Sequence, residues 1–473
     1  MRLKTTGLLE LNKVNNERID ESNWDPNLFL SEQFTIHRRA LSMPPTEDFM
    51  EMSSGVNYLP VPSIWKESMH KEIDEDFMFR QYTSIEGFQA ARYAVKVFEG
   101  FLFSQGDIFF GDGFDVCMTI GASQAADLAL NYYDSIGKKR MLLVGLTYPL
   151  YVALAEEYKY EIGEVRSSMP NRDIPTVEEL LISINRFNPD LMVFSYPSNP
   201  SGENYSAEEF DIIMQELNER DICCIFDCVC NVIISRGRAI APEHFILKHN
   251  MMKKSVIVNS LSKTDSVPGF RIGYIVAGTE IIQFVRMKQV AIMNPPNIPT
   301  VAIWATMLFR CLFLCEKMNQ LEKNATKILR YYKSIFLFST IRCSHAIREY
   351  VRELVDFRIW DEYERYKNEL ILQEEVFDAN KEYLLDQLKP FIQEKTDMSG
   401  GYNFLIKFKS KKSLCELDFC EEVLRETNIA IFTESAFSLK KANQENYWVR
   451  VSLAVPRKEF HSAVDRLRIY LSS

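Results

Sequence analysis

Short apolar runs that alternate with amphipathic helical patterns constrain the fold of this chain more than any other feature. Each run is too short for an average helix, and most are rich in β-branched or aromatic residues, which is typical of buried parallel strands. The runs are RMLLVGL at 140–146, LMVFSYP at 191–197, CCIFDCV at 223–229, SVIVNSL at 255–261 and GYIVAG at 273–278.

The segments between these runs carry helix start signals. Thr176 with Glu179, and Ser206 with Glu209, have the capping-box spacing, and apolar residues at helical spacing follow each pair. Strand and helix therefore alternate. This order predicts an α/β domain with helices on both faces of a mainly parallel sheet, where ligands gather beyond the carboxyl ends of the strands.

The length of 473 residues predicts a large domain with at least one smaller lobe. Residues 1–50 show little periodicity and are predicted to form an arm. Residues 51–335 are predicted to be the large domain, and residues 336–473 a smaller α+β domain with a linking helix. Within these regions, 300–335 and 361–388 have the pattern of long helices, separated by an irregular segment around Cys343 and His345.

Charge and hydropathy exclude two classes of partner. The net charge of −10 opposes a large nucleic-acid interface, because phosphate neutralisation needs clustered Lys and Arg. No stretch approaches the roughly 20 consecutive apolar residues of a membrane-spanning helix. The first residues lack an apolar run of signal-peptide length, so we expect a cytoplasmic protein.

The ten cysteines are scattered through the chain and are expected to be reduced thiols. Cys223, Cys224, Cys228 and Cys230 form a cluster in DICCIFDCVC that could suggest zinc. Because metal sites want ligands from separate elements and this segment has the pattern of one buried strand, we expect small hydrophobic side chains and no metal. Cys311 and Cys315, one helical turn apart, are expected in a core stripe as well.

The segment SLSKTDSVPGFRIGY at 260–274 carries the sharpest chemical signal. It places Ser260, Ser262, Lys263 and Arg271 directly after a predicted strand. A solvated loop is the alternative, since Lys and Arg around Pro-Gly are not rare. The pattern resembles the lysine segment of the class I/II aminotransferases, which are fold-type I enzymes dependent on pyridoxal 5'-phosphate.

The resemblance assigns roles to these residues. Lys263 would form the Schiff base with pyridoxal phosphate as an internal aldimine, and would then move the α-proton of the substrate. Ser260 and Arg271 would hold the cofactor phosphate, for which a guanidinium fork is well suited, and Ser262 would supply a further donor.

Two more residues of the resemblance follow predicted strands. Asn199, in YPSNPSG, resembles the asparagine that binds the ring hydroxyl of the cofactor, although in isolation this segment is a turn. Asp227 ends CCIFD, where a buried acid needs a cationic partner, and a pyridinium nitrogen would be one. A helix N-cap or a salt bridge is the alternative for Asp227.

Further cofactor contacts are implied with less specific motifs. Gly121, Ala122 and Ser123 begin a predicted helix, whose free N–H groups and dipole suit a phosphate. Tyr148 resembles the aromatic residue that stacks on the cofactor ring. Tyr82 resembles a tyrosine that reaches the phosphate of the neighbouring subunit.

The substrate contacts implied by the resemblance lie at both ends of the chain. Arg450, in the strand-like NYWVRVSLAV, resembles the arginine that binds the α-carboxylate, with a surface ion pair as the alternative. Gly55 resembles a glycine at the substrate pocket, and Asn199 would also face the substrate.

The chain also departs from the family pattern. Cys230 stands where the family has a tyrosine that helps to hold the ring oxygen, and a thiol is a weaker donor than a phenol. Tyr196 stands where the asparagine motif usually has Asn, and Leu146 where a Pro usually precedes the stacking aromatic.

The resemblance implies an aminotransferase that moves an amino group between an amino acid and a keto acid, a 2-oxo acid, and that works as a homodimer. A lyase, cyclase or oxidase that acts on a specialised amino acid is the alternative, because fold does not choose among these reactions. A catalytically silent regulator is disfavoured, since Lys263, Asp227 and Arg271 are all present.

Overall fold

The structure is a computed structural model of the chain. It describes residues 25, 27–29, 31, 32, 35, 36, 49–52, 55–75, 79, 82–105, 113–231, 241–292, 298–337, 344–409, 415–442 and 448–473. The predicted arm of residues 1–50 and the segment around Cys343 therefore lie largely outside the described residues.

The strands fall into a large sheet, a small sheet and an isolated pair. Their bounds are β1 (Met50–Glu51), β2 (Phe114–Ile120), β3 (Arg140–Val144), β4 (Glu161–Val165), β5 (Leu191–Ser195), β6 (Cys223–Asp227), β7 (Ser255–Ser260), β8 (Ile272–Gly278), β9 (Ile392–Lys395), β10 (Asn403–Phe408), β11 (Ile429–Ala430), β12 (Phe432–Thr433) and β13 (Trp448–Ser452).

The helices surround and connect these strands. Their bounds are α1 (Ser63–Asp74), α2 (Gln89–Phe103), α3 (Gly121–Ser135), α4 (Leu150–Glu157), α5 (Val177–Phe187), α6 (Ala207–Glu219), α7 (Pro242–Lys248), α8 (Leu261–Thr264), α9 (Thr279–Ile292), α10 (Thr300–Lys317), α11 (Leu321–Leu337), α12 (His345–Glu353), α13 (Ile359–Gln387), α14 (Glu416–Thr427) and α15 (Arg457–Ser472).

The large sheet has seven strands in the order β2-β8-β7-β6-β5-β3-β4. Strands β3 to β7 pair in parallel, as predicted, and four of them match predicted apolar runs. The prediction of a parallel strand at 273–278 is wrong, because β8 is antiparallel to both β7 and β2. An apolar run buried on both faces has the same composition in either direction, so its sequence does not reveal its orientation.

The helix start signals predicted from the sequence are present. In α5 the Thr176 side chain accepts a hydrogen bond from the Glu179 N–H, and the Glu179 carboxylate accepts one from the Thr176 N–H. Ser206 and Glu209 form the same reciprocal pair at the start of α6. Both capping boxes are therefore confirmed, and both helices begin where the sequence predicts.

The helical region after the large sheet differs from the prediction in two places. Residues 300–335 form two helices, α10 and α11, which are separated at Met318–Gln320, where Asn319 has a φ of +56°. The segment after Ser344 is helical instead of irregular: α12 is followed by a π-helical turn at Leu354–Arg358 that leads directly into α13. The long linking helix predicted at 361–388 is confirmed as α13.

The small sheet has the order β12-β13-β10-β9, with antiparallel pairing throughout. Helices α14 and α15 accompany it, which confirms a smaller α+β unit near the C-terminus. Strand β1 pairs in parallel with β11, so residues 50 and 51 join this part of the molecule. The chain just after the predicted arm thus returns to the C-terminal region.

The cysteines that the structure describes are free thiols, and all but Cys415 are buried. Cys311 and Cys315 lie in the core as expected, although α10 is buried on nearly every side instead of along one stripe. Within the described ranges, no group of three or more His, Cys, Asp or Glu side chains is arranged to hold a metal ion. Among the helices of the described residues, none is long and apolar enough to cross a membrane.

Candidate active site

The carboxyl ends of neighbouring parallel strands bring chemically active residues together. Asp227 is the last residue of β6, and Ser260 is the last residue of the adjacent β7, which leads into α8 and Lys263. Asn199 follows β5 on the other side of β6. Because parallel strands end at the same edge of a sheet, these side chains share one region, where ligands of open α/β sheets bind.

Lys263 points its amine toward the chain that returns from the N-terminal side. Its Nζ donates a hydrogen bond to the Gly55 carbonyl oxygen at 2.7 Å, and its own carbonyl oxygen accepts one from Asn57 Nδ2 at 3.0 Å. Burial lowers the pKa of the Lys263 amine to about 8, although Cys230 has an opposing effect. The amine is therefore much closer to neutrality at physiological pH than an ordinary lysine.

Asp227 is buried at the end of β6 and has a strongly perturbed carboxyl group. Burial raises its pKa to about 6, while the Val229 N–H, which donates to Oδ1 at 3.1 Å, and the nearby Tyr151 hydroxyl lower it. A carboxylate in this setting gains from a cation placed against it.

Arg450 reaches the same region from the small sheet. It lies on β13, and its Nη1 donates a hydrogen bond to Asn199 Oδ1 at 3.2 Å. Gly55, with a φ of +57°, lies beside it, since a Cβ on Gly55 would be 3.4 Å from the guanidinium carbon. The site therefore lies in the cleft between the two sheets, and Gly55 packs closely against the Arg450 guanidinium.

The first turn of α3 and Arg271 form a compact group of donors. Arg271 has a φ of +53°, and its carbonyl oxygen accepts the Gly121 N–H at 2.7 Å. A Cβ on Gly121 would lie 2.6 Å from Arg271 Nη2, so only glycine allows this approach. Ala122 and Ser123 continue the turn, whose N–H groups have no acceptor within the helix. This arrangement suits an anion.

Ser260 and Ser262 shape the lysine turn. Ser260 is the N-cap of α8, and its Oγ accepts the Ser262 N–H at 3.2 Å. Both serines are buried. Ser260 thus has a local structural role in addition to the phosphate contact that the sequence predicts.

Tyr148 and Cys230 lie among these charged groups. The Tyr148 side chain is 41% exposed in this chain. Desolvation raises the pKa of its phenol and Asp227 acts in the same direction, whereas Arg450 and Arg271 lower that pKa. Burial raises the pKa of the Cys230 thiol to about 11, and the cations Lys263 and Arg450 act in the opposite direction. The Cys230 thiol is therefore neutral at physiological pH, close to the lysine amine.

Tyr82 lies apart from the other predicted site residues. Its side chain is 99% exposed in this chain. The sequence prediction for Tyr82 involves a neighbouring subunit, so its position in a single chain leaves that prediction open.

The sequence prediction missed several residues of the cleft. Tyr151 lies against Asp227, Asn57 binds the Lys263 carbonyl oxygen, and the Tyr402 hydroxyl donates to the Gly55 carbonyl oxygen at 2.8 Å. The position of Tyr151 three residues after Tyr148 was an available signal. Asn57 and Tyr402 carry no motif, because tertiary folding alone brings them to the site.

This set of groups suits amino-group chemistry. An amine with a lowered pKa can act as a nucleophile and as a general base near neutral pH. A buried carboxyl, an anion cradle and a buried arginine stand around it. Such a collection of perturbed groups in one cleft is typical of an active site.

Comparison with known proteins identifies the family. Residues 47–336 match the family described as "Aminotransferase class I and II". The chain belongs to this family. It is therefore an aminotransferase, and its large mainly parallel sheet with a smaller antiparallel sheet is the fold-type I architecture.

Individual relatives of this aminotransferase agree with that result. A Bacillus subtilis protein named "Probable N-acetyl-LL-diaminopimelate aminotransferase" is 23% identical over 427 residues, which are 90% of each chain. "Kynurenine--oxoglutarate transaminase 1" of Homo sapiens is 23% identical over 255 residues, 50% of this chain and 57% of that protein. A solved aminotransferase structure from Mycobacterium tuberculosis has a TM-score of 0.66 at 18% identity, covering 96% of this chain and 99% of that one.

Proposed function

We propose that this aminotransferase uses pyridoxal phosphate carried by Lys263 to move an amino group between an amino acid and a 2-oxo acid. The observation that carries the proposal is the meeting of Lys263, Asp227 and Arg450 in one cleft, with each pKa shifted toward the neutral form by burial. Each of these groups gains from a ligand of the matching chemistry.

The donor groups near α3 fit the phosphate of this cofactor. Gly121, Ala122 and Ser123 present the start of a helix, and the Arg271 guanidinium lies directly over Gly121. A dianion would be bound by the helix N–H groups and by the guanidinium. Ser260, at the end of β7, and Ser262, in the first turn of α8, would add hydroxyl donors.

The groups along the cleft fit the ring of the cofactor. Asp227 would bind the ring nitrogen and keep it protonated. The protonated nitrogen would in turn supply a positive charge that stabilises the buried carboxylate. Tyr148 offers a flat face for stacking, and Asn199 an amide for the ring hydroxyl. When bound, pyridoxal phosphate supplies an electron sink for the pair of electrons left on the substrate Cα.

Lys263 and Arg450 would act on different parts of the substrate. Arg450 would bind the α-carboxylate and orient the Cα–H bond toward Lys263. Lys263 Nζ would take the proton from Cα and return it at another atom, a role that needs a pKa near the working pH. Gly55 and Asn199 would border the substrate. Cys230 would contribute little, since its thiol is neutral and a weak donor.

The remaining features predicted from the sequence stay proposals. These are the division into an arm (1–50), a large domain (51–335) and a small domain (336–473), a cytoplasmic location, and a homodimer in which Tyr82 reaches the partner's phosphate. The full exposure of Tyr82 in a single chain is consistent with a contact supplied by a second subunit.

The decisive test is the visible absorption of the purified protein during titration with pyridoxal phosphate. Wild type should develop a band that Lys263→Ala lacks, and a panel of amino acids should convert that band, with a 2-oxo acid restoring it. Lys254→Ala is the control, because Lys254 pairs with Asp221 outside the cleft. A band of equal strength in Lys263→Ala would contradict the assignment of the lysine. Release of ammonia without amino transfer to the 2-oxo acid would contradict the reaction.

A further inference from the structure

Lys263 lies on a helix of a single turn. Helix α8 contains four residues, Leu261–Thr264, with Ser260 as N-cap and Asp265 as C-cap, and Ser266 follows with a φ of +56°. One turn of helix is not stable by itself, because nucleation fixes several dihedral angles for one hydrogen bond. The direction of the Lys263 side chain therefore depends on the contacts that hold the two ends of this turn.

The C-terminal end of the turn is joined to helix α10. Arg310 Nη2 donates a hydrogen bond to Thr264 Oγ1 at 2.7 Å and forms an ion pair with the Asp265 carboxylate. Thr264 Oγ1 in turn donates to Asp265 Oδ2 at 2.7 Å. All three residues are buried, and Asp265 is 0% exposed. The two residues that follow Lys263 are thus bound to one guanidinium.

Arg310 is an unusual residue for its position in α10. Its neighbours Phe309 and Cys311 are fully buried, and the guanidinium lies 5.9 Å from the Phe98 ring centroid. A buried charge is unfavourable unless it is paired, and an apolar side chain of similar volume usually serves packing as well or better. Packing alone therefore does not account for an arginine here, whereas a specific orientation of the lysine turn does.

The opposite side of the turn is held by the chain that returns from the N-terminal side. Asn57 Nδ2 donates to the Lys263 carbonyl oxygen, and the Gly55 carbonyl oxygen accepts from Lys263 Nζ. Residues 55–57 therefore determine where the amine points only if the turn itself stays in place. The network of Arg310, Asp265 and Thr264 holds the C-terminal end of the turn.

We propose that Arg310, through Asp265 and Thr264, is a positioning residue that holds the lysine turn against residues 55–57. The inference rests on the proposed function of Lys263, because positioning matters only if that amine reacts. Arg310 binds Thr264 and Asp265, and it would act on Lys263 through these two residues of the turn. Its loss should therefore change the reactivity of Lys263 more than the binding of substrate.

The test compares four variants of the full-length protein. Arg310→Met and the double variant Arg310→Met/Asp265→Leu remove the network. The double variant removes both charges of the Arg310–Asp265 pair, so it is expected to recover folding. Thr264→Val removes only the hydroxyl link and keeps the ion pair. Glu72→Met is the matched control, because Glu72 is buried and accepts the Val301 N–H near the start of the same helix, away from the lysine turn.

The first measurement is the pH dependence of Lys263 acetylation in protein without added cofactor. A trace of an amine-reactive acetylating reagent is used, and mass spectrometry measures the extent of acetylation. Wild type should show a midpoint near pH 8. In the double variant the midpoint should move up toward the ordinary lysine value, because a released turn exposes the amine to water. Thr264→Val should shift it in the same direction by less, and Glu72→Met should leave it unchanged.

The second measurement is steady-state kinetics of the protein loaded with pyridoxal phosphate. The double variant should lose roughly 10- to 100-fold in kcat, the range expected when a reacting group is displaced by about 1 Å, while KM for the amino acid changes by less than about threefold. Glu72→Met should keep the kcat of wild type even if its thermal unfolding temperature falls.

The outcomes separate the inference from the proposed function. A folded double variant with the labelling midpoint and kcat of wild type would overturn the positioning role, as would an equal midpoint shift in Glu72→Met. If the double variant does not fold, Thr264→Val decides alone: an unchanged midpoint and kcat overturn the role. Failure of wild type to form a Lys263-dependent band would refute the proposed function and leave the labelling result intact.

Discussion

Two buried arginines in this aminotransferase have opposite electrostatic settings. Arg310 and Arg450 are 3% and 2% exposed. Burial lowers the pKa of both, but the Asp265 carboxylate reverses the effect for Arg310, whose pKa is raised overall. Arg450 donates to the neutral amide oxygen of Asn199 and lies 4.7 Å from the Phe437 ring, and its pKa remains lowered.

These two settings distinguish a charge that supports the fold from a charge that binds a ligand. A buried charge that is matched by an opposite charge of the same chain stabilises a particular arrangement. A buried group whose pKa is shifted toward the neutral form would be stabilised in its charged form by an opposite charge on a ligand. The pKa values of Lys263 and Asp227, like that of Arg450, are shifted toward the neutral form, whereas Arg310 is paired with Asp265.

The largest expected effect is the contrast between Arg310→Met and Arg450→Met in protein without ligand. Arg310→Met leaves the Asp265 carboxylate buried and unpaired, so it should lose about 3–5 kcal/mol of unfolding free energy. Arg450→Met should lose far less, because it removes a charge that burial already disfavours. Urea denaturation at pH 7.5 measures both. Equal losses would contradict the distinction.

Catalysis should reverse the order of these two variants. Arg450→Met removes the proposed partner of the substrate carboxylate, so kcat/KM should fall roughly 100-fold or more, the consequence of losing one member of a buried charge pair. Arg450→Lys is the control for charge without the bidentate fork, and it should recover only part of the loss.

Asp227→Asn should stabilise the ligand-free protein while abolishing activity. The carboxyl has a pKa of about 6 in the folded state, above its ordinary value of 3.8, so the folded state holds the proton more tightly. Wild type should therefore lose stability as the pH rises from about 4 to 6. The advantage of Asp227→Asn should be near zero below pH 4 and reach at most about 3 kcal/mol above pH 6.

Denaturation of wild type and Asp227→Asn at several pH values checks this prediction. Tyr151→Phe is a useful second variant, because the Tyr151 hydroxyl lowers the pKa of Asp227. Its removal should raise that pKa, so the loss of stability should extend to higher pH. A stability difference between wild type and Asp227→Asn that does not vary with pH would show that burial does not raise the pKa of the Asp227 carboxyl.

Lys263→Met should show the opposite pH dependence with a somewhat smaller size. The amine has a pKa of about 8 in the folded state and 10.5 ordinarily, so the folded state releases the proton first. Wild type should be less stable than the variant below pH 8, and the gap should close as the pH rises toward 10.5. Because the Lys263 side chain is half-buried, we expect about 2 kcal/mol. Denaturation at pH 7 and pH 10 measures the gap, and a gap that widens with pH would contradict the assignment.

The sequence could predict those parts of the fold that are marked by local signals. Apolar runs and capping boxes identified β3, β5, β6 and β7 and the starts of α5 and α6, since these signals act over a few residues. Strand β4, with the sequence EIGEV at the edge of the sheet, lacks a sustained apolar run and was missed. The break between α10 and α11 occurs at Asn319 without Gly or Pro, so no breaker marked it.

The residues of the site likewise divide into those marked by a local motif and those brought to the site by tertiary contacts. Lys263, Asp227 and Arg271 stand in motifs whose resemblance to the family implied their chemistry. Asn57 and Arg310 act on the lysine turn from 206 and 46 residues away along the chain. Their side-chain types are ordinary in isolation, and only tertiary packing gives them a partner. Local patterns therefore identified the groups proposed to react, and missed the groups that hold them.

Thr176→Ala completes the comparison with the smallest effect. Thr176 Oγ1 accepts the Glu179 N–H at 3.2 Å, and the Glu179 carboxylate accepts the Thr176 N–H at 2.8 Å, outside the cleft. Loss of such a cap costs about 1 kcal/mol of unfolding free energy, and Thr176→Ser should recover most of it. Since this motif contacts no group of the proposed site, kcat should stay within twofold of wild type. A larger fall would mean that α5 supports the cleft, and that a locally encoded motif can also position the reacting groups.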